Sequence, residues 1–195
     1  ETHIFGQHTT KFDDNNQDIS GWTFIKSGLK SKASDGVGII LSPEVKLIDI
    51  EDNILDGQIL LVRLVLHGIK ISAFCAYAPT DLYADSTKEK FFSTLQSAIQ
   101  KVKQKHPGFK ILIGADMNAT IGEESFGSWS FLGPNNDKYK TNDNGTRLLS
   151  LSNENKLFIM NSLFTSKAIH RHTWYSPTGF SKRVDITYLQ NGTLK

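Results

Sequence analysis

The chain has 195 residues, 38% hydrophobic and 22% charged, with 12 Phe and 3 Trp. This is globular material, enough for one domain with a sizeable core, and it excludes a disordered or low-complexity chain. A formal net charge of +2 is too small to mark a nucleic-acid binder by bulk charge and excludes nothing about DNA. No apolar run approaches the ~18 to 20 residues of a membrane helix, so no membrane span is expected.

In chain order, Glu1-Thr2-His3 shows neither a charged-then-apolar leader nor an initiator Met, and the chain is expected to be a fragment. Residues 21–27 alternate as a strand, 34–36 turn, and 37–41 form a second apolar strand. Residues 59–66 and 69–76 are β-rich and are joined by His67-Gly68, a hairpin signal that makes them antiparallel. The single cysteine, Cys75, falls inside this run, which suits a buried thiol in a reduced compartment. Ala78-Pro79-Thr80 stops the strand. Residues 87–105 then carry Phe91, Phe92, Leu95, Ala98, Ile99 and Val102 at helical spacing, and His106-Pro107-Gly108 closes the helix.

Residues 111–114 read as a short buried strand, which places Asp116 and Asn118 just past its carboxyl end, where ligand-binding groups collect in α/β sheets. Residues 120–141 form a long irregular segment, of the kind that is usually functional in a compact domain. A second helix is expected over 144–155, then strands over 157–160, 172–176 and 183–189, with Pro177-Thr178-Gly179 turning between the last two. Antiparallel hairpins with a few helices between them imply an α+β sandwich in a single domain over 1–195.

Several polar residues stand at strand ends or turns. Asp116 and Asn118, two apart in extended backbone, project a carboxylate and an amide side by side. The carboxylate can bind a hard cation or hold a water, and the amide can donate to a phosphate oxygen. Alone, the pair reads first as a strand-to-turn cap, and the rest of the chain changes that weighting. Tyr77, before Ala78-Pro79, can present its hydroxyl to a cleft or be a half-buried aromatic with a wet tip. Asn142-Asp143-Asn144-Gly145 is an N-cap and turn sequence whose helix-start donors could also meet a phosphate. Asp185 lies in an otherwise apolar strand, where a buried carboxylate needs a partner. His170 and His172 lack further ligands at zinc spacing, and zinc is rejected.

In order, the chain carries Glu1-Thr2, Tyr77-Ala78-Pro79, residues 114–119 (Gly-Ala-Asp-Met-Asn-Ala), Asn142-Asp143-Asn144-Gly145, residues 173–177 (Thr-Trp-Tyr-Ser-Pro) and Arg183-Val184-Asp185. This succession resembles the endonuclease/exonuclease/phosphatase (DNase I-like) superfamily. It is most similar there to the endonuclease domains of non-LTR (LINE-type) retrotransposons and to craniofacial development protein 2-like sequences. The helix-leading run 144–149 and Asn161-Ser162-Leu163-Phe164 extend the likeness over essentially the whole chain.

The resemblance implies a four-layer α/β-sandwich, two mainly antiparallel sheets face to face with helices outside. It further implies Mg²⁺- or Mn²⁺-dependent hydrolysis of phosphodiesters, with DNA as partner. Glu1 matches the glutamate that binds the metal. Tyr77 matches the tyrosine that contacts the scissile phosphate, Asp116 the aspartate that orients and deprotonates the attacking water, and Asn118 the asparagine that stabilises the transition state. Asn144 resembles the helix-leading asparagine near the phosphate, Thr173 a threonine lining the DNA groove, and Asp185 the aspartate that orients the family's catalytic histidine. A reverse transcriptase is expected in the parent protein, and a DNA-cutting role implies nuclear access within a eukaryotic cell.

The family's first-strand Asn and its Ser-Asp-His would fall before Glu1 and after Lys195. The chain is therefore expected to be truncated at both termini and inactive or very weak by itself. Two alternatives stay open: an inositol-phosphate or lipid phosphatase of the same superfamily, and a non-catalytic relic that binds nucleic acid or a partner.

Overall fold

The computed structural model describes residues 21–28, 36–165, 172–175, 181–182 and 185–190. Strands β1 (Thr23–Gly28) and β2 (Gly36–Leu41) pair antiparallel as a small sheet. Four strands of the large sheet follow: β3 (Lys46–Ile54), β4 (Ile59–Leu66), β5 (Ile69–Tyr77) and, beyond helix α1 (Asp85–Lys105), β6 (Lys110–Asp116). After a 3₁₀ turn at Glu123–Ser125 come α2 (Asp143–Asn155), β7 (Leu157–Ile159) and the one-turn helix α3 (Met160–Leu163). The described chain ends with β8 (Trp174–Tyr175), β9 (Ser181–Lys182) and β10 (Asp185–Gln190).

The large sheet has six strands in the order β3-β4-β5-β6-β10-β7. All its neighbours are antiparallel except β5 and β6. That exception follows from the connection. A tight turn reverses the chain at His67-Gly68, whose φ values of 48° and 80° suit a primed hairpin turn, whereas the 21-residue α1 carries it back to begin β6 in the direction of β5.

Period-two alternation then sorts the side chains into two apolar layers. Ile59, Leu61, Phe74, Ala76, Ile111, Ile113, Ile186 and Tyr188 face α1 and α2, packing on Phe91, Leu95, Ile99, Leu148 and Leu149. Leu60, Val62, Leu64 and Ala73 face the other way, onto Ile25, Val37 and Leu41 of the small sheet. The expected architecture is thus present, a sandwich of two mainly antiparallel sheets with helices on the outside of the larger. No helix among the described residues is long and apolar enough to cross a membrane.

Three local readings change. Asp116 is the last residue of β6 rather than a residue beyond it, because pairing with both β5 and β10 extends the strand. Residues 157–160 are not all strand, since β7 stops at Ile159 and Met160 opens α3. Strand β3 has no counterpart in the sequence reading. Its register shifts between Leu47 and Asp49 and again between Glu51 and Ile54, so its apolar residues never fall into a clean alternation. The turn expected at 177–179 lies outside the described residues.

Candidate active site

The register of three neighbouring strands brings together residues more than a hundred positions apart in sequence. Tyr77 is paired with Asp116 across the parallel β5–β6 ladder, and Asp116 with Asp185 across the antiparallel β6–β10 ladder. Residues opposite one another on adjacent strands project to the same face. Because Ala76, Ala115 and Ile186 face the helices, Tyr77, Asp116 and Asp185 face away from them, on the side of the small sheet. Tyr77 packs at the margin of that second core. Beyond it the face opens, and Gly114, Asp185 and Thr187 are all exposed. Asp185 therefore sits on an open surface rather than in the core, as the first residue of its strand.

Asn118 follows β6 with φ of 45°, the left-handed region that Asn tolerates better than most residues. Its backbone N–H donates to Asp116 Oδ1 (2.9 Å), closing a small turn that fixes the carboxylate. Its side-chain Nδ2 donates to the Ala78 carbonyl (2.8 Å), and Ala78 N–H donates to the Asp116 carbonyl (2.8 Å). The exits of β5 and β6 are thereby stitched together, with Tyr77, Asp116 and Asn118 on the stitched edge.

The start of α2 braces this edge from behind. Asn142 is the N-cap, its Oδ1 accepting from Gly145 N–H and Thr120 N–H (both 2.8 Å). Its Nδ2 donates to Asp81 Oδ2 (2.7 Å) and to the Asn118 carbonyl (3.1 Å). Asn144 is 0% exposed, and its Nδ2 faces the carbonyls of Pro79, Met117 and Asn118 at 2.8, 3.2 and 3.3 Å. This places Asn144 beneath the site, holding both strand exits, rather than at its surface. Its Oδ1 is buried and makes no hydrogen bond among the described residues. Gly145 is required next to it, since a Cβ there would strike the Thr120 carbonyl oxygen.

Thr173 borders the other end of the row, exposed, with its Oγ1 accepting from Asp185 N–H (3.2 Å). His172, beside it, holds Nε2 3.9 Å from Asp137 Oδ1. Glu1, expected as a metal ligand, lies outside the described residues. Sequence reasoning did not anticipate Asp81, whose role as a side-chain partner of Asn142 has no local signature. Cys75, on the same face two residues before Tyr77, donates to the Gly38 carbonyl (3.4 Å), and burial pushes its thiol up, away from the thiolate a nucleophile needs.

Asp116 and Asp185 are acids at opposite register positions of the β6–β10 ladder. Both offer hard oxygen donors of the kind that Mg²⁺ and Mn²⁺ take. Among the described residues no group of three or more His, Cys, Asp or Glu could hold a metal.

No family model and no curated protein matches the chain. Solved structures do. The endonuclease domain of TRAS1, a telomere-specific non-LTR retrotransposon, aligns with a TM-score of 0.61 at 16% identity, over 88% of this chain and 68% of that one. The 3′ phosphatase NExo from Neisseria, bound to a product DNA hairpin, aligns at 0.64 with 15% identity, over 93% and 73%. A mannosyl-6-phosphatase from Bacteroides thetaiotaomicron aligns at 0.59 with 9% identity, over 89% of this chain and 64% of that one, less than two thirds of its length.

The fold is the DNase I-like α/β sandwich. It is the fold of the endonuclease/exonuclease/phosphatase superfamily, which the succession of motifs resembles.

Proposed function

We propose that the chain is a metal-dependent phosphodiesterase domain that cuts DNA, of the type carried by non-LTR retrotransposons or their domesticated relatives. The observation that carries this reading is the in-register row Tyr77–Asp116–Asp185, with Asn118 tied to Asp116 at its edge. A phosphate ester resting on the open face would meet a phenol, two carboxylates and an amide.

Each group suits one task. Asp116, held in one orientation by the Asn118 N–H, positions a water and takes its proton. Asn118 spends one of its two amide N–H groups on Ala78, and the other can donate to a phosphate oxygen as charge develops. The Tyr77 hydroxyl donates to the same phosphate from the neighbouring strand. By the resemblance, Glu1 would hold Mg²⁺ or Mn²⁺, and Asp185 would orient the family's catalytic histidine beside Asp116. When bound, the cation neutralises the phosphoryl oxygens in an in-line displacement. Asn144 supports all of this from below, and Thr173 flanks the groove beside Asp185.

DNA is favoured as substrate by the retrotransposon endonuclease and the DNA-bound 3′ phosphatase among the similar structures. In a parent protein of that type a reverse transcriptase would follow, and the domain would work on nuclear DNA. The second reading, a phosphatase, draws on the mannosyl-6-phosphatase. Substrate preference separates the two. The chain, with its parent sequence restored at both ends, is incubated with Mg²⁺ and either a labelled oligonucleotide or inositol phosphates. Internal cleavage of the oligonucleotide is expected, and phosphate release from inositol phosphates without it would transfer the assignment to the phosphatase.

A further inference from the structure

The segment that leaves β5 for α1 ends in two large apolar side chains held out in solvent. Leu82 is 97% exposed and Tyr83 58% exposed. Single exposed apolar residues are ordinary on a protein surface, but these two are adjacent and their backbone is fixed. Tyr83 N–H donates to the Thr80 carbonyl (3.1 Å), which closes a turn. Asp81 is gripped by Asn142 (2.7 Å), and Pro79 by Asn144 (2.8 Å). The residues that brace Asp116 and Asn118 thus also brace this turn.

We propose that Leu82 and Tyr83 form a stacking tip that engages an unstacked base of the bound strand close to the phosphate that is cut. The proposal rests on the nuclease reading and adds the structural class of substrate, a single strand or a locally distorted duplex. The tip lies at most six residues from Tyr77, within ~20 Å along the chain. About 20 Å spans roughly six nucleotides at ~3.4 Å each, so the tip is within reach of nucleotides that flank a phosphate lying on the row Tyr77–Asp116–Asp185. Every base presents a face on which a phenol ring can stack, and apolar wedges such as Leu act by parting neighbouring bases. Asp81, the one acid in the turn, is turned to Asn142 and so does not face the strand alone. Because the turn is already ordered, engagement costs little additional entropy.

The test compares the chain with its Tyr83→Ala and Tyr83→Phe variants in Ca²⁺. Affinity for a single-stranded oligonucleotide is read by anisotropy and base stacking by quenching of an internal 2-aminopurine. Tyr83→Ala is expected to bind roughly ten-fold more weakly, the scale of one base-on-ring stack, and to lose the quenching. Tyr83→Phe, which keeps the ring, is expected to restore both. Hydrolysis of bis(p-nitrophenyl) phosphate, which has no base, by the same three chains with their parent sequence restored and in Mg²⁺, is expected to be equal in all three. Equal oligonucleotide affinity and quenching in the chain and in Tyr83→Ala would overturn the stacking tip while leaving the nuclease reading intact. No binding of the oligonucleotide by the unsubstituted chain would overturn both.

Discussion

Asn118 and Asn144 are both asparagines beside one carboxylate, and the structure separates their work. Asn118 is half-buried, strained toward the left-handed region at φ 45°, and carries an amide at the edge of the open face. Asn118→Ala is expected to lower kcat by about a hundred-fold, as loss of one charge-stabilising donor does, with little change in KM. Unchanged kcat would remove Asn118 from the chemistry. Asn144 is buried and its amide faces three carbonyls. Asn144→Ala should cost about 2 kcal/mol of stability, since it leaves buried carbonyls without donors. A shift of the urea midpoint checks it, and an unshifted midpoint would show that the brace is dispensable. The sequence singles out Tyr77, Asp116, Asn118 and Asp185, and the fold sets the first, second and fourth at facing register positions with Asn118 bonded to Asp116. That Asn144 is buried was not legible in the sequence, because an N-terminal helix Asn reads the same whether it faces water or carbonyl oxygens.

At the scale of elements, α2 is anchored through its first turn. Asn142→Ala removes the cap and the bond to Asp81, and should cost about 1 kcal/mol. Gly145→Ala opposes two effects. Alanine is the better helix former by about 1 kcal/mol, but its Cβ would collide with the Thr120 carbonyl, backbone that cannot move aside cheaply. The collision is expected to win, giving a net loss of stability by thermal melting. A gain would mean that the loop after Asn118 yields. The elements themselves were readable where one signal ruled, as with His67-Gly68 and the helical stripe from Phe91 to Val102. Strand β3 was not, because two bulges break its period and its acids, Asp49 and Glu51, are spent on Arg63. Only the fold reveals that pairing, which also engages Lys101 of α1 (3.1 Å to Glu51).

Over the whole molecule, ion pairs tie helices to sheet and to each other. Lys88 is buried and bridges Asp85 (3.0 Å) and Asp143 (2.7 Å), while Arg147 engages Asp143 (3.0 Å) and Glu89. Hydrogen bonds from Lys88 and then Arg147 hold the Asp143 carboxyl below its ordinary value of 3.8. Arg63 does the same for Asp49. For Glu51, burial pushes upward but is outweighed by Lys101 and Arg63, and the net direction is down. A carboxyl with a depressed folded-state pKa contributes stability that is complete above its unfolded value. That contribution fades as pH falls through the folded one. Urea stability is therefore expected to be flat near neutrality and to decline below pH ~4. Asp143→Asn should be less stable at pH 7, with the difference closing in acid. A constant difference down to pH 3 would contradict the coupling.

The same scale limits what the sequence could tell about the site. Motifs along the chain supplied the residues, but the row Tyr77–Asp116–Asp185 exists only because α1 makes β5 and β6 parallel while β10 inserts beside β6. The measurement that tests the account most directly is nicking of supercoiled plasmid in Mg²⁺ by the chain extended with its parent sequence, alongside Asp116→Ala. The account predicts metal-dependent nicking that disappears in the variant while its folding is retained. Nicking that survives Asp116→Ala, or no nicking by a folded extended chain, would contradict it.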